Sequence, residues 1–198
     1  FASRNQKVLY YVPWPSPGVY SKAPIVSADD ISGQRIRAFN ATSFTFLEKQ
    51  GAAPVELPFG ELAAAVAAGT VDGAATSTST GANSKLYQFT SHFNPLNWSM
   101  SPDAVTVNLD AWNALSDDER AAIQGLADTM EAEFWAASAS EDESKTAVLV
   151  ENGMTVSEAD ASLTAKMAEA GKSMWADFFA KVPEAKAVVA AYAATVGK

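Results

Sequence analysis

The chain has no cysteine and a single histidine among its 198 residues. The absence of cysteine excludes disulfide bonds, zinc–thiolate sites and thiol catalysis, and it says little about the cellular compartment. A metal site that included His92 would need carboxylates for its other ligands, and no spacing of acidic residues suggests one. A lone histidine beside phenylalanine and proline more often packs or hydrogen-bonds than acts as a base. We therefore expect neither a metal nor a cofactor.

Positive charge is also scarce, since 14 lysines and arginines face 23 acidic residues for a net charge of −9. An acidic chain without a basic patch argues against nucleic acid and against anionic membrane surfaces as partners. Apolar runs such as residues 62–68 are far too short to cross a bilayer. No signal peptide precedes Phe1, so we expect a processed protein or a fragment.

Catalytic motifs are missing as well. The sequence has no Gly-x-Ser-x-Gly elbow, no P-loop and no Gly-x-Gly-x-x-Gly, and it pairs no nucleophile with a base at a recognisable spacing. We predict no catalytic residues, although residues distant in sequence can still converge in a fold. Apolar residues make up 48% of the chain, which is enough for one large domain or two small ones.

The most informative stretch is residues 33–39, where Arg35 and Arg37 alternate with Ile36. This period of two predicts a short strand that carries both arginines on one face. Burying a guanidinium costs several kcal/mol unless an anion meets it. Two interpretations remain open. Either Arg37 clamps an anionic ligand at the ligand-binding edge of an α/β sheet, or both arginines lie on an edge strand and pair with surface acids.

The first half of the chain reads as alternating strands and helices joined by short loops, the spacing of βαβ units on a parallel sheet. A proline-rich loop follows the first strand, and Ser27 is predicted to cap a short helix that Gly33 ends. The remaining predictions are strands at 7–12 and 53–57, a strand entering the turn at 71–73, helices at 41–50 and about 62–68, and a loop at 92–98.

Two further features admit a functional and a plain interpretation. Trp14, held between prolines, forms either one wall of a ligand pocket or a cover over a core edge. The small hydroxyl residues of segment 76–80 either donate hydrogen bonds to a ligand at a strand end or form an ordinary polar loop.

The second half is predicted to be helical after a strand at 104–108. A capping box at Ser116 begins a helix that extends to about Asn152, and Ser157 is predicted to cap another over 158–182. Apolar stripes on these helices are interpreted as core, and the acidic cluster 141–143 as a solvated face. The stripes comprise Ile123, Leu126, Met130 and Phe134 on the first helix, and Leu163, Met167, Met174 and Phe178 on the second.

Several segments resemble, in order, motifs of the TRAP transporter solute-binding proteins. Residues 24–37 read PIVSADDISGQRIR and resemble that family's block ending in Gly-x-x-x-Arg. The other segments are LPFGEL at 57–62, GTVDG at 69–73, VNLDAWNALS at 107–116 and GMTV at 153–156. Each motif is weak alone, and their common order over nearly the whole chain from about residue 7 makes the resemblance strong.

This resemblance implies an α/β fold of the periplasmic-binding-protein type II kind, with two lobes, long C-terminal helices and an incomplete N-terminal lobe. It implies an extracytoplasmic (periplasmic) protein that closes around a small organic acid and delivers it to the membrane permease subunits of a TRAP transporter. Residues 10–102 and 143–198 would form the second lobe, and residues 103–142 would belong to the first. We expect a missing N-terminal segment, or another copy of the chain, to cover the apolar surface of the first lobe.

The same resemblance assigns ligand-binding roles. Arg37 matches the arginine that pairs with the substrate carboxylate, and Phe59 matches a pocket-lining aromatic. Thr76 stands where relatives often carry asparagine, and the preceding acid is replaced by Ala75. These departures leave the identity of the substrate open. Ser77, beside Thr76, is also predicted to contact the ligand. The loops of Trp14 and Trp98 suggest a flatter or more apolar acid than a sugar acid, such as an aromatic or keto acid.

Two alternatives to transport remain open at this point. One is an extracytoplasmic binding domain used for sensing, which the sequence does not distinguish from a transport protein. The other is an enzyme on a related two-lobed scaffold, which the lack of catalytic motifs disfavours.

Overall fold

The computed structural model describes residues 1–99 and 101–195. It is an α/β fold, as predicted, with one sheet of six strands and another of two. The strands are β1 (Gln6–Trp14), β2 (Pro17–Ser21), β3 (Arg35–Ala38), β4 (Ala53–Glu56), β5 (Gly73–Ser77), β6 (His92–Asn94), β7 (Ser101–Asn108) and β8 (Thr155–Val156). The helices are α1 (Ala41–Lys49), α2 (Leu62–Ala67), α3 (Thr78–Asn83), α4 (Leu109–Asn113), α5 (Asp117–Glu151), α6 (Ala161–Lys181) and α7 (Ala185–Thr195).

The larger sheet has the strand order β4-β3-β5-β2-β6-β8. Strand β3 pairs in parallel with both β4 and β5, which confirms the predicted βαβ units. Strand β2 runs antiparallel between β5 and β6, and β8 closes the sheet in parallel with β6. Because β3 is flanked on both sides, the interpretation that its arginines lie on an edge strand is wrong.

The smaller sheet consists of β1 and β7, paired antiparallel from Gln6 with Asn108 to Trp14 with Ser101. One face packs on the long helix α5, where the rings of Tyr10 and Phe134 stack with centroids 5.8 Å apart. Three segments join the two sheets: the link after Trp14, the segment between β6 and β7, and helix α5. The end of β1 therefore lies where the sheets meet.

The core of the larger sheet is divided between its two faces. Neighbouring residues of β2 point to opposite faces, since Val19 belongs to one cluster and Tyr20 to the other. The first cluster includes Ile36, Leu47 and Leu163, packed between the sheet and helices α1 and α6. The second includes Leu62, Val66, Phe93 and Leu149 around helices α2 and α5.

Capping interactions explain which of the predicted helix start positions are confirmed. Ser116 and Glu119 form the capping box that was predicted at the start of α5, and Asn40 and Ser43 form a second reciprocal capping box at α1. Helix α6 begins later than predicted, because the carboxylate of Asp160 and not Ser157 accepts hydrogen bonds from the first turn.

Three local predictions are wrong. Ser27 caps no helix, because the Asp30 carboxylate accepts from the Val26 and Ser27 amides and closes a turn. The loop predicted at 92–98 contains strand β6. Strand β5 extends through Ser77, so the hydroxyl segment is the end of a strand and the start of helix α3, and not a polar loop.

The apolar stripe of α5 is not core throughout. Leu126 is 62% exposed and Ile123 38% exposed, whereas Met130 and Phe134 are half-buried. On α6, Leu163 is buried and Phe178 is exposed. No helix in the described part of the chain is long and apolar enough to span a membrane.

Gly81 provides a test of the packing around β2. A Cβ at this position would lie 2.1 Å from the hydroxyl oxygen of Tyr20, which is fully buried. We expect Gly81→Ala to lower the free energy of unfolding by about 1–3 kcal/mol, because neither the helix nor the ring has room to move. Urea denaturation would measure the change. Gly60→Ala is the matched control, since a Cβ there meets nothing within 4 Å; equal midpoints for both variants would contradict the close packing of Tyr20 on α3.

Candidate functional site

A cleft of about 470 Å³ opens at the carboxyl edge of β3 and β5, next to the junction of the two sheets. Open α/β sheets bind ligands at this edge. The structure brings five of the six predicted ligand-binding residues together around this cleft: Trp14, Arg37, Phe59, Thr76 and Ser77.

Arg37 is the only positively charged residue that lines the cleft among the described residues. Its side chain is only 7% exposed, and no carboxylate in segments 1–99 and 101–195 forms a salt bridge with it. Nε donates a hydrogen bond of 3.3 Å to the carbonyl oxygen of Leu57. The two terminal nitrogens form no hydrogen bond within the described chain, so the planar end of the guanidinium is free to bind two oxygens of one carboxylate.

The aromatic ring of Phe59 supports this guanidinium. The carbon Cζ of Arg37 lies 5.6 Å from the ring centroid, within the range of a cation–π interaction. Burial lowers the pKa of Arg37 from its ordinary value. The group keeps its positive charge at neutral pH, because a guanidinium is not deprotonated in proteins under these conditions. The cleft therefore holds a fixed, partly desolvated cation.

Arg35, two residues earlier on the same strand, has a different environment. Its Nη2 and Nε donate to the two carboxylate oxygens of Asp72 at 2.6 and 3.0 Å. These bonds lower the pKa of Asp72, with the hydrogen bonds from Arg35 as the largest cause. Of the two arginines in the original pattern, Arg35 is neutralised at the surface, whereas Arg37 has no acidic partner within the described residues.

Trp14, Ser77 and Thr80 form a hydrogen-bonded chain along one wall of the cleft. The indole Nε1 of Trp14 donates to Ser77 Oγ at 3.0 Å, and Ser77 Oγ in turn donates to Thr80 Oγ1 at 3.0 Å. Ser77 also caps helix α3 by accepting from the Thr80 amide at 3.1 Å. The hydroxyl of Thr76 forms no side-chain hydrogen bond within the described residues, and it is therefore available to a ligand.

Trp98, the sixth predicted residue, does not line this cleft. Its ring stacks on Phe46 of α1, with centroids 4.9 Å apart, and packs against the first core cluster. His92 lies in β6, away from the cleft lining. Among residues 1–99 and 101–195, no group of three or more histidine, cysteine or acidic side chains is placed to hold a metal ion.

Sequence reasoning missed the lining residues Phe39 and Ser101, and it included Thr80 only as one of the hydroxyl residues of segment 76–80. Phe39 continues the period of two that begins at Arg35 and Arg37, so that signal was present. Thr80 lies three residues after Ser77, which is the spacing between a helix N-cap and the residue whose amide it accepts from. Ser101 had no local signal, because it reaches the cleft only through the pairing of β7 with Trp14.

A second polar cluster supports the cleft from behind. Thr78, at the start of α3, donates its hydroxyl to the carboxylate of Asp142 on α5. The Tyr20 hydroxyl donates to the Ser77 carbonyl at 3.2 Å. Burial, and to a lesser degree the charge of Asp142, raises the pKa of Tyr20, so its proton stays in place for this bond. The acidic cluster 141–143 is thus not wholly a solvated face, since Asp142 is a structural partner.

A family model described as bacterial extracellular solute-binding protein, family 7, matches residues 3–182. The chain belongs to this family of binding proteins. The finding confirms the resemblance to TRAP transporter solute-binding proteins.

Solved structures of TRAP solute-binding proteins share the fold. A protein from an unidentified microbe of a marine metagenome, specific for pyroglutamate, is 32% identical with a TM-score of 0.83. The receptor DctP6 of Bordetella pertussis, which binds pyroglutamic acid, is 30% identical with a TM-score of 0.85. A Desulfovibrio desulfuricans protein with bound sn-glycerol-3-phosphate, 24% identical with a TM-score of 0.88, shows the fold alone.

These matches cover 91%, 91% and 93% of this chain and 60% of each solved chain. The chain thus spans about three fifths of the length of the proteins it matches. The two-lobed α/β fold class predicted from the sequence is confirmed as the fold of these relatives.

Asp142 offers a test of the support behind the cleft. We expect Asp142→Ala to lower the free energy of unfolding by about 1–3 kcal/mol, because the Thr78 hydroxyl, 1% exposed, would lose its partner. Glu143→Ala is the control, since Glu143 is exposed on the same helix and forms no salt bridge within the described residues. Thermal unfolding of both variants would measure the difference, and equal stabilities would show that the Thr78 contact contributes nothing.

Proposed function

We propose that the protein is an extracytoplasmic, periplasmic solute-binding protein that holds a small carboxylic acid on Arg37. The observation that carries this proposal is a buried guanidinium that lacks a carboxylate partner in the described chain and faces a cleft with both terminal nitrogens uncommitted. A ligand carboxylate would form two charge-assisted hydrogen bonds there and would offset the cost of burying the charge. The protein acts by binding and not by turnover.

A compact, flat acid suits the remaining lining. The indole of Trp14 and the ring of Phe59 offer apolar surface, and Thr76 and Ser77 offer hydroxyl groups for a polar edge of the ligand. Pyroglutamate has these features, since its planar lactam carries one donor and one acceptor beside a carboxylate. Two solved relatives at 30% identity or more, from the marine metagenome and from Bordetella pertussis, bind pyroglutamate. We infer that the ligand is pyroglutamate or an acid of similar size.

Binding would be coupled to movement of the lobes. We assign residues 10–102 and 143–198 to the second lobe and residues 103–142 to the first; residues 100 and 196–198 lie outside the described chain. The Arg37 cleft is lined by residues of both sheets, such as Trp14 and Thr76, and these lining residues all fall in the segment assigned to the second lobe. Closure of the first lobe over a ligand held there would favour the closed state, which the TRAP permease subunits would recognise.

The exposed surface of the smaller sheet supports a further contact. Its two strands bury only Pro13, and Leu126 and Trp135 of α5 remain exposed. Apolar surface of this kind is normally covered. We infer that an additional N-terminal segment, or another copy of the chain, packs on it.

Arg37→Lys tests the proposed role of the guanidinium. We expect affinity for pyroglutamate to fall by about 10- to 100-fold, because lysine keeps the charge but loses one of two charge-assisted hydrogen bonds. Isothermal titration calorimetry would measure Kd. Arg35→Lys is the matched control, because Arg35 lies on the same strand but pairs with Asp72 outside the cleft. Equal affinities of Arg37→Lys and the wild-type protein would overturn the assignment of Arg37.

The ligand class can be tested without choosing a ligand in advance. Native mass spectrometry of the purified protein, beside a denatured spectrum, should reveal a retained acid of low mass that is absent after denaturation. The same spectra would show a co-purifying polypeptide or a second copy on the smaller sheet. A cationic or neutral sugar ligand in place of an acid would contradict the proposal.

A further inference from the structure

A second cavity, of about 150 Å³, lies directly behind the wall of the carboxylate cleft. It sits between the end of β1 and helices α3 and α5. Trp14, Pro15 and Thr80 line both this cavity and the cleft of Arg37. The indole of Trp14 is the largest of the three side chains, so it is the main barrier between the two spaces.

The position of this barrier is fixed. The Trp14 indole donates to Ser77 Oγ at 3.0 Å, and Ser77 is itself tied to the Thr80 amide and hydroxyl. Pro13 and Pro15 flank the tryptophan and limit the backbone on both sides. The ring also remains 45% exposed, so it lines the two spaces and is not an interior core residue.

The cavity behind the indole has the size and chemistry of a pocket. A cavity of about 150 Å³ holds a molecule the size of benzene. Phe134 and Ala137 of α5 give it an apolar side, and Glu141 and Ser138 give it a polar one. Ser79, only 4% exposed, is one of the lining residues, and its hydroxyl is buried without a hydrogen-bond partner within the described residues. A buried, unpaired hydroxyl indicates a place for a polar group of a ligand or for water.

We propose that Trp14 sets the length limit of the ligand by closing off this preformed second pocket. The inference rests on the proposed carboxylate site and specifies its substrate class. With tryptophan at position 14, the cleft accepts compact acids whose far end stops at the indole. With the indole removed, the two spaces join, and the site takes acids that carry an uncharged six-membered ring beyond the carboxylate. A hydroxyl on that ring would pair with Ser79 or Glu141.

The experiment compares wild-type protein with Trp14→Ala, using pyroglutamate and the ω-phenyl acids phenylacetate, 3-phenylpropionate and 4-phenylbutyrate as probes. We expect Trp14→Ala to bind at least one phenyl acid 10-fold or more tighter than the wild-type protein does, while its affinity for pyroglutamate falls. Trp14→Leu, which removes part of the ring and keeps an apolar side chain, is the second variant if the alanine protein does not fold. Calorimetric titration measures each Kd.

A second change tests whether the gain comes from the cavity itself. Ser138→Leu, added to Trp14→Ala, places a larger side chain in the pocket and should abolish the gained binding of phenyl acids. Ser140→Leu on the same background is the control, because Ser140 is exposed on α5 outside the cavity lining. The control should retain the gain. If Trp14→Ala gained affinity only because the fold became looser, the two double variants would bind phenyl acids equally well.

The outcomes separate the two proposals. If the wild-type protein binds pyroglutamate but neither Trp14 variant gains a phenyl acid, the length limit is overturned and the carboxylate site stands. If Trp14→Ala binds a phenyl acid more tightly and the added Ser138→Leu leaves that affinity unchanged, the phenyl ring does not enter the cavity. The inference is then likewise overturned. If neither the wild-type protein nor the variants bind any acid, the carboxylate site fails and the inference fails with it.

Discussion

The structure depends on a positive charge that the described chain buries and does not neutralise. Placing Arg37 on an interior strand costs free energy, because the guanidinium loses water and gains only a carbonyl and an aromatic face. Large apolar clusters on both faces of the six-stranded sheet offset that cost. The neighbouring Arg35 shows the alternative, since a single aspartate suffices to neutralise it. What distinguishes Arg37 is that no acid within the described residues pairs with its guanidinium.

Ser77 connects, through its hydrogen bonds, several of the elements that surround Arg37. It is the last residue of β5 and the N-cap of α3. Its hydroxyl accepts a hydrogen bond from the Trp14 indole, and its carbonyl oxygen accepts one from the Tyr20 hydroxyl. The next residue, Thr78, reaches Asp142 on the long helix. Elements from both sheets are thus tied to one strand–helix junction. Polar side chains of this kind give directional contacts where apolar packing alone would allow the sheets to slide.

Much of the α/β region was predictable because its signals are local. Asn40 and Ser116 mark helix starts by capping chemistry, and the alternation around Ile36 defined β3. Two failures are local, because Asp30 and Asp160, each three residues beyond the serine predicted as a cap, accept the backbone hydrogen bonds instead. The other failures share a different cause, namely that residues distant in sequence decide the outcome. Residues 76–80 alternate threonine, which favours strands, with serine, which favours caps and turns, so pairing with β2 decided which of them are strand. The position of Trp98 depends on stacking with Phe46. Ile123 is exposed although the apolar stripe on α5 has the spacing expected of core residues. The strand pattern was sufficient to single out Arg37 as a candidate anion-binding residue. The second cavity was not predictable, because residues distant in sequence form it.

The strand order also has a kinetic consequence. Strand β2 emerges early in the chain but lies between β5 and β6, and β8 pairs with β6 only after a helix of 35 residues. Most of the sheet therefore forms through contacts between residues far apart in sequence, and such topologies fold slowly because loop entropy is lost before pairing is gained. A chain of this design stays unstructured for longer after synthesis than a helical bundle of equal length.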